Sequence, residues 1–115
     1  MISNFAAWLL LGVSVISEVV GTVALKQTAG FSKALPAVLA GSCYVLAVWL
    51  MAVAMKCIEM GTTYAVWAAS GTALTALVGM AVYDEDASPL KLLGLVLVVV
   101  GVVVLNLGTT DTGNA

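Results

Sequence analysis

The chain has no arginine and no histidine, and its basic side chains are four lysines: Lys26, Lys33, Lys56 and Lys91. With six acids, charged residues make up 9% of the 115, against about 25% in an ordinary soluble domain. Four scattered lysines form no basic stripe, which excludes nucleic-acid binding. Without histidine a Cys/His zinc site is impossible, and Cys43 and Cys57 have no metal-ligand spacing, so they read as small buried thiols. No metal and no cofactor are expected. A hydrophobic fraction of 63% and a mean hydropathy of +1.16 exclude both a water-soluble globule and a disordered tail. One membrane crossing takes about 20 residues, so the length allows about four or five spans and no separate soluble domain.

What is present is long apolar runs, with the charges as punctuation. Phe5 to Leu25 contains one charge, Glu18; Ala34 to Met55 and Met60 to Tyr83 contain none; Pro89 to Leu107 contains Lys91 near its start. Lipid leaves the backbone no outside hydrogen-bond partner, and the apolar residues run on rather than alternate, so the spans are helices, not strands. The expected organisation is one all-α transmembrane domain over 1–115, with helices over 5–25, 34–55, 60–83 and 89–107 and a polar tail over 108–115. The breaks are short. Gly30 leads toward Pro36, Lys56 to Glu59 is a tight turn, and Ser88-Pro89 reads as an N-cap with proline at the first helical position. Such loops predict an up-down-up-down bundle with both termini on one side. The first span lacks a positive leader and is too long for a cleaved signal peptide. Lysines bias the orientation by three (Lys26, Lys33, Lys91) against Lys56 and the amino terminus, a weak positive-inside code.

Glu18 is the exception to the charge pattern. It stands near the middle of the first span, where an acid costs on the order of 2.5–3.5 kcal/mol on insertion scales. One reading is a neutral glutamate bonding a neighbouring helix. The functional reading starts from charge: a carboxylate in low dielectric wants a counter-charge, and no lysine lies at that depth. A proton or a foreign cation must serve, and competition for one carboxylate is the simplest basis for proton/cation exchange. On a helix Leu11, Ser14, Thr22 and Leu25 share the face of Glu18, with Gly21 removing bulk one turn away. Plain packing through small residues accounts for Ser14, Gly21 and Thr22 equally well.

Aromatics extend this reading. Trp8 and Tyr83 fit an interfacial belt. Tyr44 falls at the midpoint of the second span, where its hydroxyl needs a partner and Glu18 is the ionisable candidate. Tyr64 and Trp67 are three apart on the third span, and Trp and Tyr faces attract organic cations by about 0.5–2 kcal/mol each. For Trp49 and Tyr64, ordinary core packing competes. Counting residues puts Trp67 roughly 10 Å and Glu18 roughly 20 Å from the same side, which leans toward an inverted second copy bringing them level. In the last span Gly94 and Gly101 are seven apart on one face of a branched aliphatic helix. They read as a dimer seam, with Asn106 near its end.

At this point the sequence resembles the small multidrug resistance family of exporters, over nearly the whole chain. The resemblance is carried by Ser17-Glu18-Val19-Val20-Gly21-Thr22, Leu25-Lys26, Gly30-Phe31, Pro36, Tyr44, Trp49, Tyr64-Ala65-Val66-Trp67, Gly94, and Gly101-Val102-Val103-Val104-Leu105-Asn106-Leu107. It implies a four-helix protomer, an antiparallel dimer and proton-coupled export of cations. Glu18 is then the binding carboxylate, Tyr44, Tyr64 and Trp67 the pocket aromatics, and Gly94 and Gly101 the dimer glycines. Gly21-Thr22 looks like the quaternary-ammonium branch; the guanidinium branch usually has tryptophan where Gly21 stands. One departure is Trp67-Ala68-Ala69-Ser70-Gly71, where the family typically reads Trp-Ser-Gly-x-Gly; another is the acidic loop Asp84-Glu85-Asp86, which reads as a solvated loop or as a cation-attracting surface.

The expected protein is therefore a multi-pass antiporter of the inner or plasma membrane, driven by a proton gradient and without catalytic residues. Its partners are an organic cation, the bilayer and most simply a second copy of itself. Three alternatives stand beside this: half of a heterodimeric transporter, an exporter of a small metabolic cation, and a non-transporting rotor-type membrane protein.

Overall fold

A computed structural model describes residues 3–108. It contains four helices: α1 (Asn4–Gln27), α2 (Ala34–Ala54), α3 (Met60–Val82) and α4 (Pro89–Gly108). All four are long and apolar enough to cross a membrane. α1 and α2 run past or stop short of the sequence bounds by one or two residues. Of the expected polar tail, Gly108 ends α4 and the remainder lies outside the described residues.

Local chemistry explains the ends. The Ser3 side chain accepts a hydrogen bond from the Ala6 N–H at 3.1 Å and starts α1. Ser88 does the same for Lys91 at 3.2 Å, one residue before Pro89 opens α4. Between α1 and α2 the backbone is left-handed at Ala29, Gly30 and Phe31 (φ 49, 75 and 68). Buried Thr28 holds that unusual turn: its hydroxyl donates to Leu25 O at 2.7 Å and accepts from the Phe31 N–H at 3.0 Å. Pro36 falls in the first turn of α2, where no N–H is missed.

The helices run up-down-up-down, as the short loops predict. They lie in a slab of 45 × 35 × 17 Å in the lateral order α2, α1, α3, α4. α1 packs most extensively on α2, α3 leans on α1, and α4 touches α3 alone among the helices. The reason is side-chain size. α1 buries Ala7, Ser14 and Gly21 at seven-residue spacing, and α2 buries Ala40, Ala47 and Ala54 at the same spacing. Small residues in register let two backbones approach closely. Ser14 Oγ donates to Ala47 O at 2.6 Å and Ser17 Oγ to Cys43 O at 2.8 Å, which fixes the antiparallel register. α4, rich in branched valines, buries no residue at all.

Candidate cation site

Glu18 projects from the middle of α1 toward α3, away from α2. Its carboxylate lies against Gly71, where a Cβ would overlap both carboxylate oxygens. Among the described residues, Glu18 Oε2 is the one buried side-chain oxygen or nitrogen without a hydrogen-bond partner. The carboxylate borders an open cleft of about 390 Å³, shared with Thr22, Thr72, Thr75, Glu85 and Lys91.

The polar groups nearest in sequence are occupied elsewhere. Thr22 Oγ1 donates to the Glu18 carbonyl at 3.0 Å, so its one proton is spent, and the Tyr44 hydroxyl donates to Thr22 Oγ1 at 2.6 Å. Tyr44 thus finds Thr22, not the Glu18 carboxylate expected from the sequence. Ser14, one turn from Glu18, accepts from Trp67 Nε1 at 3.0 Å while donating to Ala47 O, so one hydroxyl ties α1, α2 and α3 together. Ala68, one turn before Gly71, presents no hydroxyl on this face of α3.

The other residues singled out from the sequence divide into two groups. Leu11, Ser14 and Gly21 are buried in helix packing. A Cβ at Gly21 would already approach Cys43 Cβ to 3.1 Å and Ala40 O to 3.4 Å, so Gly21 faces α2 rather than the cleft. Trp67 is partly buried and stacks at a tilt on Tyr64, with centroids 5.9 Å apart. Tyr64 and Trp49 are more than half exposed. Gly94 and Gly101 face open space. The Trp67 indole reaches Ser14, one turn before Glu18, while the Glu18 carboxylate seats on Gly71, one turn beyond Trp67, so within one chain the two lie at different depths, as counting residues placed them.

Residues to which the sequence assigned no place at Glu18 complete the site: Gly71, Thr72, Thr75 and Lys91, with Glu85 of the acidic loop. The α3 members recur at helical spacing on one face, a signal hidden because every residue of α3 is uncharged and mostly small. Glu85 was visible as part of an acidic loop, but its return to α3 depends on the turn at Asp84.

Comparison with known proteins agrees with this picture. The sequence model of the family described as Small Multidrug Resistance protein matches residues 6–98. A multidrug transporter of Pseudomonas aeruginosa is 39% identical over 107 residues, covering 93% of this chain and 97% of that protein. A guanidinium exporter of Escherichia coli K12 is 38% identical over 103 residues, covering 90% and 98%. One from Citrobacter freundii is 34% identical over the same length.

Proposed function

Because the chain belongs to the small multidrug resistance family and is thus a multi-pass membrane transporter rather than an enzyme, we propose that it exports hydrophobic or quaternary ammonium cations in exchange for protons, the two competing for Glu18. The observation that carries this reading is the Glu18 carboxylate itself: mid-membrane, seated on Gly71, one oxygen buried without a partner, at the side of an open cleft. Lys91 lines the cleft but, among the described residues, no lysine pairs with Glu18, and a buried acid left unpaired is neutral with a proton or paired with a visiting cation. It cannot hold both, so loading one releases the other. Trp67 and Tyr64 stack within a turn of the carboxylate's helix neighbour Ser14 and offer aromatic faces to a lipophilic cation. Gly21 supports the quaternary-ammonium branch over the guanidinium branch, since the α1–α2 contact leaves no space there for a tryptophan. The test is cation-dependent proton release in detergent, comparing the wild type with Glu18→Gln. Release is expected to vanish in the variant, and undiminished release would sink the reading.

A second reading is export of a small hydrogen-bonding cation such as guanidinium. The relatives bearing that name are as similar as the multidrug transporter, and the threonines of the cleft suit a small polar cation. Proteoliposome uptake of guanidinium against tetraphenylphosphonium separates the two.

Assembly follows from the open slab. One chain does not enclose a bulky ligand, and α4 leaves Gly94 and Gly101 uncovered. The proposal is a homodimer joined through α4. Transport by this chain alone in proteoliposomes would remove the heterodimer option.

A further inference from the structure

We propose that Glu85, with Tyr83, forms an outer cation-receiving site on the way to Glu18, and that Lys26 occupies this site as a tethered plug until an organic cation displaces it. The proposal rests on the reading that cations bind at Glu18.

The backbone builds the outer site. Asp84 is left-handed (φ 53), which turns the chain back on α3. The N–H groups of Tyr83 and Glu85 both donate to Gly79 O at 3.0 Å. This fold-back lays the Glu85 carboxylate on Gly79, where a Cβ would overlap it. Gly71 and Gly79 are eight residues apart on α3, roughly 12 Å along its axis. α3 therefore offers two side-chain-free seats on one broad face, each filled by a carboxylate from another segment: Glu18 from α1 and Glu85 from the loop. The same cleft borders both acids. A second hollow of about 120 Å³ adjoins it, lined by Lys26, Tyr83 and Glu85 and sharing Thr22 and Thr75 with the region beside Glu18.

The outer site already holds a cation of the right kind. Lys26 Nζ is 3.6 Å from Glu85 Oε2 and 4.9 Å from the centroid of the Tyr83 ring. Gln27 Nε2 donates to the Tyr83 hydroxyl at 2.7 Å and holds the ring in place. A carboxylate beside an aromatic face is what an organic ammonium requires, and here the ammonium is the protein's own. Both ends of the ion pair are about half exposed (52% and 43%), so the pair is weak and exchangeable. A lipophilic cation, less hydrated than an ammonium, can take its place on the ring and pass down the threonine-lined cleft. The ligand class is thus the same at both carboxylates, but the outer one governs arrival rather than final affinity.

The experiment is stopped-flow binding of tetraphenylphosphonium to the full chain in detergent, followed by tryptophan fluorescence. Glu85→Gln is expected to slow association about three- to tenfold at low salt, because the local field that collects cations is lost. Lys26→Met, which keeps the stem and removes the charge, is expected to speed it about two- to threefold by the same electrostatics. At about 1 M salt, where screening acts within ~3 Å, the wild type and both variants should converge. Lys26→Met leaves the Glu85 backbone contacts intact and so tests the proposal even if Glu85→Gln misfolds. Wild-type binding that Glu18→Gln abolishes, together with unaltered association rates in both outer-site variants, overturns this inference alone. Absence of wild-type binding, or full binding by Glu18→Gln, overturns the underlying reading and this inference with it.

Discussion

Two stripes of small residues run through this molecule at the same seven-residue spacing, and they have opposite fates. On α1, Ala7, Ser14 and Gly21 meet Ala40, Ala47 and Ala54 of α2 and disappear into the tightest helix contact of the chain. On α4, Gly94 and Gly101 meet nothing. Spacing alone therefore identifies a surface made for close helix approach but does not say whose helix approaches. The difference lies in the partner: α2 brings small side chains and two carbonyls that serine hydroxyls reach, whereas α3 shows α4 a different face. The first stripe completes the fold, and the second is left for association.

The largest effect comes from breaking the filled stripe. Gly21→Leu forces branched bulk into a site where a single Cβ already crowds Cys43 and the Ala40 carbonyl. Backbone atoms cannot rotate aside, so the expected loss is about 3 kcal/mol or more. Denaturant-induced unfolding in mixed micelles measures it, and an unchanged midpoint would refute the close contact. The matching change in the open stripe is Gly101→Leu. Its Cβ meets no described atom within 4 Å, so the fold of the protomer should be indifferent, while the proposed α4 seam should weaken by about 2 kcal/mol. Cross-linking yield as a function of dilution in detergent reads this. Equal loss of folding and association would mean that α4 packs within the chain after all.

A third glycine sharpens the comparison, because Gly71 makes room for a functional group rather than for a helix. Gly71→Ala puts a methyl where the Glu18 carboxylate now lies. The side chain is flexible and can swing away, so folding should change little. Binding of a lipophilic cation should fall by about tenfold, or roughly 1.4 kcal/mol. Equilibrium titration checks this, and wild-type affinity would show that the Glu18 position is not set by Gly71.

Much of this was legible in the sequence, for a physical reason. In lipid a span must be a helix, and charge scarcity marks its ends, so four helices and an isolated Glu18 follow from composition and order. Legibility stops where pairing begins. Ser14, Thr22 and Gly21 looked like one face around Glu18, yet Ser14 and Gly21 turn to α2, and Thr22 is shared between the Glu18 carbonyl and Tyr44. Small and polar residues of α1 fall on both its inward faces, so periodicity does not distinguish the face toward α2 from the face toward α3. For Glu85 the acidic loop left two readings open, solvated loop or cation-attracting surface, and the positive φ of Asp84, which folds it onto Gly79, is not written in the composition.

The two serines of the α1–α2 contact give the finest test of how far packing and the site are separate. Ser17 makes one hydrogen bond, to the Cys43 carbonyl. That carbonyl sits within α2 and keeps its helical partner, so Ser17→Ala removes a bond and orphans nothing. The expected cost is about 0.6 kcal/mol, the average for such interhelical bonds in membranes. Ser14 also bonds a carbonyl of α2, but it receives the Trp67 N–H as well. Ser14→Ala leaves that indole donor without a partner in apolar surroundings, which adds about 1 kcal/mol. It also frees the ring that the proposed pocket uses. Unfolding midpoints should therefore order as wild type, Ser17→Ala, Ser14→Ala, and the emission maximum of Trp67, read with Trp8 and Trp49 replaced by phenylalanine, should shift in the Ser14 variant alone. If both variants shift the emission equally, Trp67 is held by the general packing of α1 on α2 rather than by the Ser14 hydroxyl.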